Sequence, residues 1–292
     1  MAVAEIELAR TPKRRGYWAG VLHRVSGDPV AMVCFVVLMA LILSAIFASW
    51  LPLQDPYKAS MIARLKPIGT EGHLLGTDEQ GRDMLARLIY GGRLTLLIGL
   101  MPVVVAFFIG SALGIVAGYA GGRTNTIIMR TVDVFFAFPS VLLAIAISGA
   151  LGAGIVNSLV SLSIVFIPPI TRVAESVTSG VRSADYIEAA RASGGNALTV
   201  MRVHVIGNVL GPIFVYASSL TSVCMILAAG LSFLGVGVKP PEPEWGLMLN
   251  TLRSAIYMNP WVAALPGLMI FITSLCLNLL SDGLRSAMNV KD

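Results

Sequence analysis

Charge is what this chain has least of. Asp, Glu, Lys and Arg make up 13% of its 292 residues, against about 25% in an ordinary soluble domain. Half the usual charge cannot cover a water-facing surface. A soluble enzyme, a secreted disulfide scaffold and a disordered chain are therefore excluded. Hydrophobic residues reach 56% and mean hydropathy is +0.80, the values of an integral membrane protein. Other absences narrow the chemistry. No Gly-Lys-Ser or Gly-Lys-Thr occurs, so there is no P-loop to cradle nucleotide phosphates. His23, His73 and His204 stand far apart and no His-Glu-x-x-His exists, so a zinc site is not expected. Cys34, Cys224 and Cys276 all fall in apolar runs, where cysteine behaves as a small hydrophobe. No span carries an acid and a base together, so no Ser/His/Asp arrangement is expected. The net charge of +5 is no nucleic-acid signature, because the basic residues sit between apolar runs.

What is present is long and apolar. Charged residues are missing from 29–54, 94–122, 134–171, 203–238 and 254–281. A bilayer core needs about 20 helical residues. Four stretches suit one span each. The stretch 134–171 is too long for one helix, and Gly149-Ala150-Leu151-Gly152-Ala153-Gly154 supplies a turn near its middle. Two short spans are expected there, giving an all-α protein of six transmembrane helices. The runs are continuous rather than alternating, which argues against a β-barrel. The first stretch follows basic residues but is longer than a signal-peptide core, and it reads as a retained helix. Two parts are expected: 1–92, a tail with the first span and an external segment, and 93–292, a five-helix core.

With six spans both termini share a side. That side collects thirteen Lys and Arg, including Arg10, Lys13, Arg14, Arg15, Arg24, Arg182, Arg191 and Lys291, against eight on the other. The positive-inside rule places both termini in the cytoplasm. Ionisable groups are scarce within the spans. Arg130, Asp133, Arg172, Glu175 and Asp282 lie near span ends, where they suit anchoring and capping. A carrier driven by ions or protons usually keeps such groups inside its spans. The energy source is therefore expected in another subunit, with a secondary carrier working alone as the alternative.

The longest cytoplasmic connection is expected at about 172–208. Helix formers from Tyr186 to Ser193 precede Gly194-Gly195, and a second helical piece runs from Asn196 to Val205. Ala189, Ala190, Ala192 and Gly194 leave a small-residue surface suited to a partner's groove. Glu188 and Arg191 stand at its rim, where they can fix register by charge. A plain connector helix accounts for the same composition.

Glu188-Ala189-Ala190-Arg191-Ala192-Ser193-Gly194 resembles the Glu-Ala-Ala-x-x-x-Gly loop of bacterial ABC-importer membrane subunits. The usual downstream proline is replaced at Ile206-Gly207, and Pro212 follows five residues later. Further segments resemble the dipeptide/oligopeptide/nickel permeases. They include His73-Leu74-Leu75-Gly76-Thr77-Asp78-Glu79-Gln80-Gly81-Arg82-Asp83, Gly118-Tyr119-Ala120-Gly121-Gly122-Arg123, Ser232-Phe233-Leu234-Gly235, and Pro240-Pro241-Glu242-Pro243-Glu244-Trp245-Gly246. The likeness covers roughly 20 to 290 and is to the C-type permease of the pair. It implies a type I importer permease in the bacterial inner membrane, not itself an enzyme. It implies a second homologous permease, two cytoplasmic ATPases and a substrate-binding protein as partners. ATP is then used by the partners, with no cofactor on this chain. Glu188, Ala189, Ala190, Arg191 and Gly194 become the ATPase-coupling residues. Gly76, Thr77, Asp78, Gly81, Arg82 and Asp83 form a motif of the external segment. Ser218, Ser219, Thr221, Ser222, Thr273 and Asn278 are candidate pore residues.

Overall fold

A computed structural model describes residues 17–289, with side chains from 20 to 288. Arg10, Lys13, Arg14, Arg15 and Lys291 lie outside the described residues. No strand occurs among the described residues, only two isolated bridges. Helix α1 (Tyr17–Ser26) leads into α2 (Pro29–Ile46), whose start is set by Asp28. The Asp28 carboxylate accepts from the backbone N–H of Val30 at 2.9 Å and Ala31 at 3.3 Å, and Pro29 takes the first helical position. Both satisfy the orphan donors of a helix start. A 3-10 turn extends α2 to Trp50. Then comes α3 (Met84–Ala120), 37 residues and about 55 Å long.

The region read as two short spans is organised differently. Helix α4 (Gly122–Phe136) meets α5 (Ser140–Leu151) at 87°. Pro139 lacks an N–H and pushes Phe138 out of the helical region, so the chain turns there. Helix α5 has 12 residues, about 18 Å, and reaches bilayer length only together with α4. The turn expected around 149–154 is present at Gly152-Ala153-Gly154. There the Asn157 amide donates to the carbonyls of Leu151 at 2.8 Å and Gly152 at 2.9 Å. Helix α6 (Ile155–Arg182) follows. Among the described residues there are thus five long apolar helices, and a sixth crossing if the bent pair counts as one.

Helix α6 continues ten residues beyond Arg172, so the excursion between long helices is shorter than 172–208. It holds α7 (Asp185–Ala192) and α8 (Ala197–Val200). Helix α8 runs through a π-helical turn, Met201–Val205, into α9 (Ile206–Phe233) without a break. Short α10 (Trp245–Thr251) and long α11 (Pro260–Asn289) complete the fold. The segment 51–83, the Gly152 turn and α10 gather at one end of the bundle. The starts of α2 and α4, together with α7, gather at the other.

Helices α3, α6 and α9 share the main core, with Ile98, Phe166, Ile170, Ile213 and Cys224 inside it. Three glycines explain how closely α3 and α6 approach. A Cβ at Gly110 would sit 2.9 Å from the Ile167 carbonyl, and one at Gly118 would sit 2.7 Å from that of Glu175. At Gly114 it would collide with the Thr171 carbonyl. The Gly110–Gly114–Gly118 stripe therefore serves packing inside this chain, the small-residue mode of membrane helices. Helix α2 lies against α11, where Cys34, Leu38 and Cys276 form a satellite cluster.

Candidate functional site

The two residue groups singled out by sequence lie at opposite ends of the bundle. Glu188, Ala189, Ala190 and Arg191 share the short helix α7. Its single deep anchor is Ile187, 0% exposed and part of the α3–α6–α9 core. Asp185, Tyr186, Glu188, Ala189 and Ala192 are exposed, and Ala190 is half-buried. Glu188 has no ion-pair partner among the described residues. Arg191 is committed within the chain: its guanidinium lies over the Tyr119 ring at the end of α3, 5.0 Å from the centroid. Of the two rim charges, Glu188 is the one left without an ion-pair partner among the described residues.

Gly194 and Gly195 close α7 with a two-bond cap. The Gly195 N–H donates to the Ala190 carbonyl at 3.2 Å and the Gly194 N–H to that of Arg191 at 3.0 Å. This is the Schellman pattern, which needs a left-handed residue. Gly194 supplies it at φ +87°, with open space around its absent Cβ. Its constraint is therefore backbone conformation rather than close packing. At Gly195 a Cβ would lie 2.8 Å from the Ala190 carbonyl. Asn196 then caps α8, its side chain accepting from the Thr199 N–H at 2.8 Å. The π-helical turn behind it joins this hairpin to α9. Such turns occur frequently at functional sites.

Two further ties hold the same end. The Arg172 guanidinium on α6 pairs with Asp133 on α4 and stacks on Phe136 at 4.7 Å. Asn125 donates to Glu175 at 2.6 Å. Helix α4 and the bend after it are thus braced on α6.

At the opposite end, the motif segment folds on itself. Asp78 is 2% exposed. Its Oδ1 accepts from the N–H groups of Gln80 at 2.8 Å and Arg82 at 2.9 Å, and its Oδ2 from Arg82 Nε at 2.6 Å. Arg87 Nε lies 3.3 Å from the same oxygen. Asp83 caps α3 through the Ala86 N–H at 2.9 Å and pairs with His73 at 3.0 Å. The buried Thr77 hydroxyl donates to the Ala63 carbonyl and accepts from the Lys66 N–H. Gly76 and Gly81 have φ of +76° and +72°, and a Cβ on either would strike the carbonyl of Lys66 or Ser60. All six motif residues therefore build structure.

Arg87, which drew no notice in the sequence, and the quoted 240–246 segment connect this part to the rest. The Arg87 guanidinium donates to the carbonyls of Pro56 at 3.0 Å, Pro241 at 3.4 Å and Glu242 at 3.5 Å. It links the 51–83 segment to the loop before α10. Glu244, 1% exposed, caps α10 by accepting from Gly246 at 2.9 Å and Leu247 at 2.8 Å. Burial pushes its carboxyl above the ordinary value of 4.5, and those two backbone donors oppose the rise. Burial, then the Asp78 charge, does the same to Glu79. Trp245 donates from Nε1 to the Leu88 carbonyl at 2.8 Å. The acid at a helix start was a readable cap signal for Glu244. Nothing local marked Arg87.

The candidate pore hydroxyls mostly turn back on their own helices. Ser218, Ser219, Thr221, Ser222 and Thr273 donate to the carbonyls of Phe214, Tyr216, Ala217, Ser219 and Met269. Asn278 is exposed and has no partner among the described residues. It borders a cleft of about 620 Å³ between α9 and α11. Within the described residues no group of three or more His, Cys, Asp or Glu is placed to hold a metal ion, and the three cysteines are free and buried.

Residues 110–290 match the family described as binding-protein-dependent transport system inner membrane component. Residues 16–67 match the N-terminal transmembrane domain of oligopeptide transport permease C. The di/tripeptide transport system permease protein DppC of Pseudomonas aeruginosa is 39% identical over 280 residues, covering 94% of this chain and 91% of that protein. The glutathione transport system permease protein GsiD of Pectobacterium atrosepticum is 38% identical, covering 99% and 96%. The probable D,D-dipeptide transport system permease protein DdpC of Escherichia coli is 34% identical, covering 100% and 98%.

Proposed function

The chain belongs to the binding-protein-dependent transport system inner membrane components, and from that premise we propose that it couples partner ATPases to a solute path through helix α7. It is a permease subunit of an ABC importer, a non-catalytic transport component rather than a carrier working alone. Such a permease works with an ATPase, a binding protein and a second permease. Here we assign a heterodimer of homologous permeases, two ATPases on the α7 side, and the binding protein on the side of 51–83. Both termini and α7 then face the cytoplasm of a bacterium, in agreement with the excess of Lys and Arg at that end. The cargo class is di- and oligopeptides or similar small solutes, as the relatives' names suggest. We keep 1–92, with the first span and the external segment, and 93–292, the five-helix core, as the two parts of the chain, with α3 running across their boundary.

One observation carries the coupling assignment: α7 exposes Glu188 and Ala189 while Ile187 roots it in the core shared by α3, α6 and α9. A push on α7 is thereby a push on the bundle, the kind of two-position element that coupling requires. Co-purification tests it. Ile187→Ala and Glu188→Ala should both reduce the ATPase retained by the permease pair. Retention unchanged in both variants would remove α7 from the interface.

A further inference from the structure

We propose that the loop 239–251, which includes α10, is fixed to α3 and carried by it, so that the external loops of this chain travel with α3 as one body and do not open as a separate lid during transport. The inference rests on the permease reading and is independent of the role given to α7. Trp245 is the main tie. It is 1% exposed, its indole donates to the Leu88 carbonyl at 2.8 Å, and its backbone N–H donates to the Thr95 hydroxyl at 3.1 Å. Leu88 and Thr95 stand two turns apart on α3, about 10 Å along its axis, so the residue cannot pivot about a single bond. The Thr95 hydroxyl in turn lies 3.4 Å from the Glu244 carboxylate and donates to it. Between these anchors α3 presents Gly91 and Gly92. A Cβ at Gly91 would strike the Pro243 carbonyl, and one at Gly92 would lie 3.4 Å from the Trp245 ring. The loop therefore rests backbone to backbone on α3, a close approach that needs glycine. On its other side a Cβ at Gly246 would lie 2.5 Å from the Ala229 carbonyl of α9. The loop is wedged between the two long helices.

Arg87 extends the same body to the 51–83 segment. It is 2% exposed and rises from α3 one residue before Leu88. Its guanidinium meets the Pro56 carbonyl and the Asp78 carboxylate on one side and the carbonyls of Pro241 and Glu242 on the other. Closer to the surface, the Tyr57 hydroxyl donates to the Glu242 carboxylate at 3.0 Å. Beneath these bonds Met84, Leu88, Met248, Leu252 and Val262 share one apolar cluster. Lids are drawn from segments with few buried contacts and solvent-exposed backbone bonds. This loop has the opposite character. Releasing it would uncover a buried tryptophan and take two carbonyl partners from a buried guanidinium, and such groups are costly to leave unpaired. Opening of the path on this side then displaces the loops together with α3.

Cross-linking of the assembled transporter in proteoliposomes tests this. Tyr57→Cys and Glu242→Cys are introduced together and bridged with a short, reducible bis-thiosulfonate. The bridge is verified by mass spectrometry of the digested chain. It ties the 51–83 segment to the loop before α10. ATP-driven uptake of labelled alanyl-alanine is measured before bridging, after it and after reduction. The expected result is uptake after bridging at about half the unbridged level or more, since parts that never separate lose nothing by being joined. Uptake abolished by the bridge and restored by reduction would overturn the proposal, because the two parts would then have to separate in each cycle. A second measurement covers failure of that variant to assemble. Spin labels at Leu74→Cys and Lys239→Cys, both exposed positions, report the distance between the two parts by electron paramagnetic resonance. It should stay within about 2 Å between the nucleotide-free and the ATP-bound, vanadate-trapped transporter, and a larger shift would overturn the proposal. Absence of alanyl-alanine uptake by the wild-type complex would count against the cargo assignment instead, and the spin-label distance would still decide whether the loops move together.

Discussion

Asp78 and Glu79 are neighbours with opposite energetic roles. Asp78 is fully used by two backbone donors and two guanidinium groups. Asp78→Asn would leave Arg82 and Arg87 buried without their shared counter-charge. Breaking such a pair from one side costs about 3–5 kcal/mol, and thermal unfolding of the purified protein should report a loss of that order. Glu79 gives one oxygen to Arg82 at 3.2 Å and leaves the other buried and unpartnered. Glu79→Gln should cost far less. The same residue gives a pH dependence. Its carboxyl titrates above the ordinary 4.5, so just above that pH the folded state binds more protons than the unfolded one. Stability therefore falls as pH rises through that window and levels off above it. Glu79→Gln should flatten this component, which melting curves across the acid range would show. The sequence advertised the segment through its mixed charges and Gly-Thr-Asp motif. It did not reveal that the motif serves architecture, because the decisive partner, Arg87, belongs to the next helix. The Schellman cap was readable as a Gly pair, whereas the division of roles between Gly194 and Gly195 depends on φ and on the Ala190 carbonyl.

At the scale of elements, the coupling hairpin and the α3–α6 contact lead to separate expectations. Gly194→Ala forces a side chain into the left-handed region at a cost of about 1 kcal/mol. Gly180, exposed on α6 with open space around it, provides the matched control. ATPase association should weaken in the first variant and hold in the second. Gly114→Leu should be far more damaging, since even a Cβ there meets the Thr171 carbonyl and the Ala174 side chain. Loss of folded protein in detergent would show it, while Gly230→Ala, with nothing within reach of its Cβ, should fold normally. Span positions were legible because charge is excluded from hydrocarbon. The right-angle bend between α4 and α5 was not. Pro139 sits inside an apolar run, and its effect comes from geometry rather than hydropathy. The partner surface of the Gly110–Gly114–Gly118 stripe on α6 was a matter of tertiary placement.

For the whole molecule, the account places 51–83 and α10 on one side of the membrane and α7 with both termini on the other. Reporter fusions after Arg123, after Gly195 and at the C-terminus should read cytoplasmic, and one within the loop at Glu71 should read extracytoplasmic. A reversed reading at Gly195 would detach α7 from any cytoplasmic ATPase. Composition alone was enough to place the chain in a membrane. Which Ser and Thr hydroxyls bond their own helix was beyond it, because that is settled only by the fold. The most direct test of the central claim is uptake of a labelled dipeptide into proteoliposomes. They would hold this chain, its partner permease, the ATPases and the binding protein, with and without ATP on the α7 side. The account predicts uptake that requires ATP, disappears when this chain is omitted and falls sharply with Ile187→Ala. Uptake by this chain alone, indifferent to ATP and to that substitution, would contradict it.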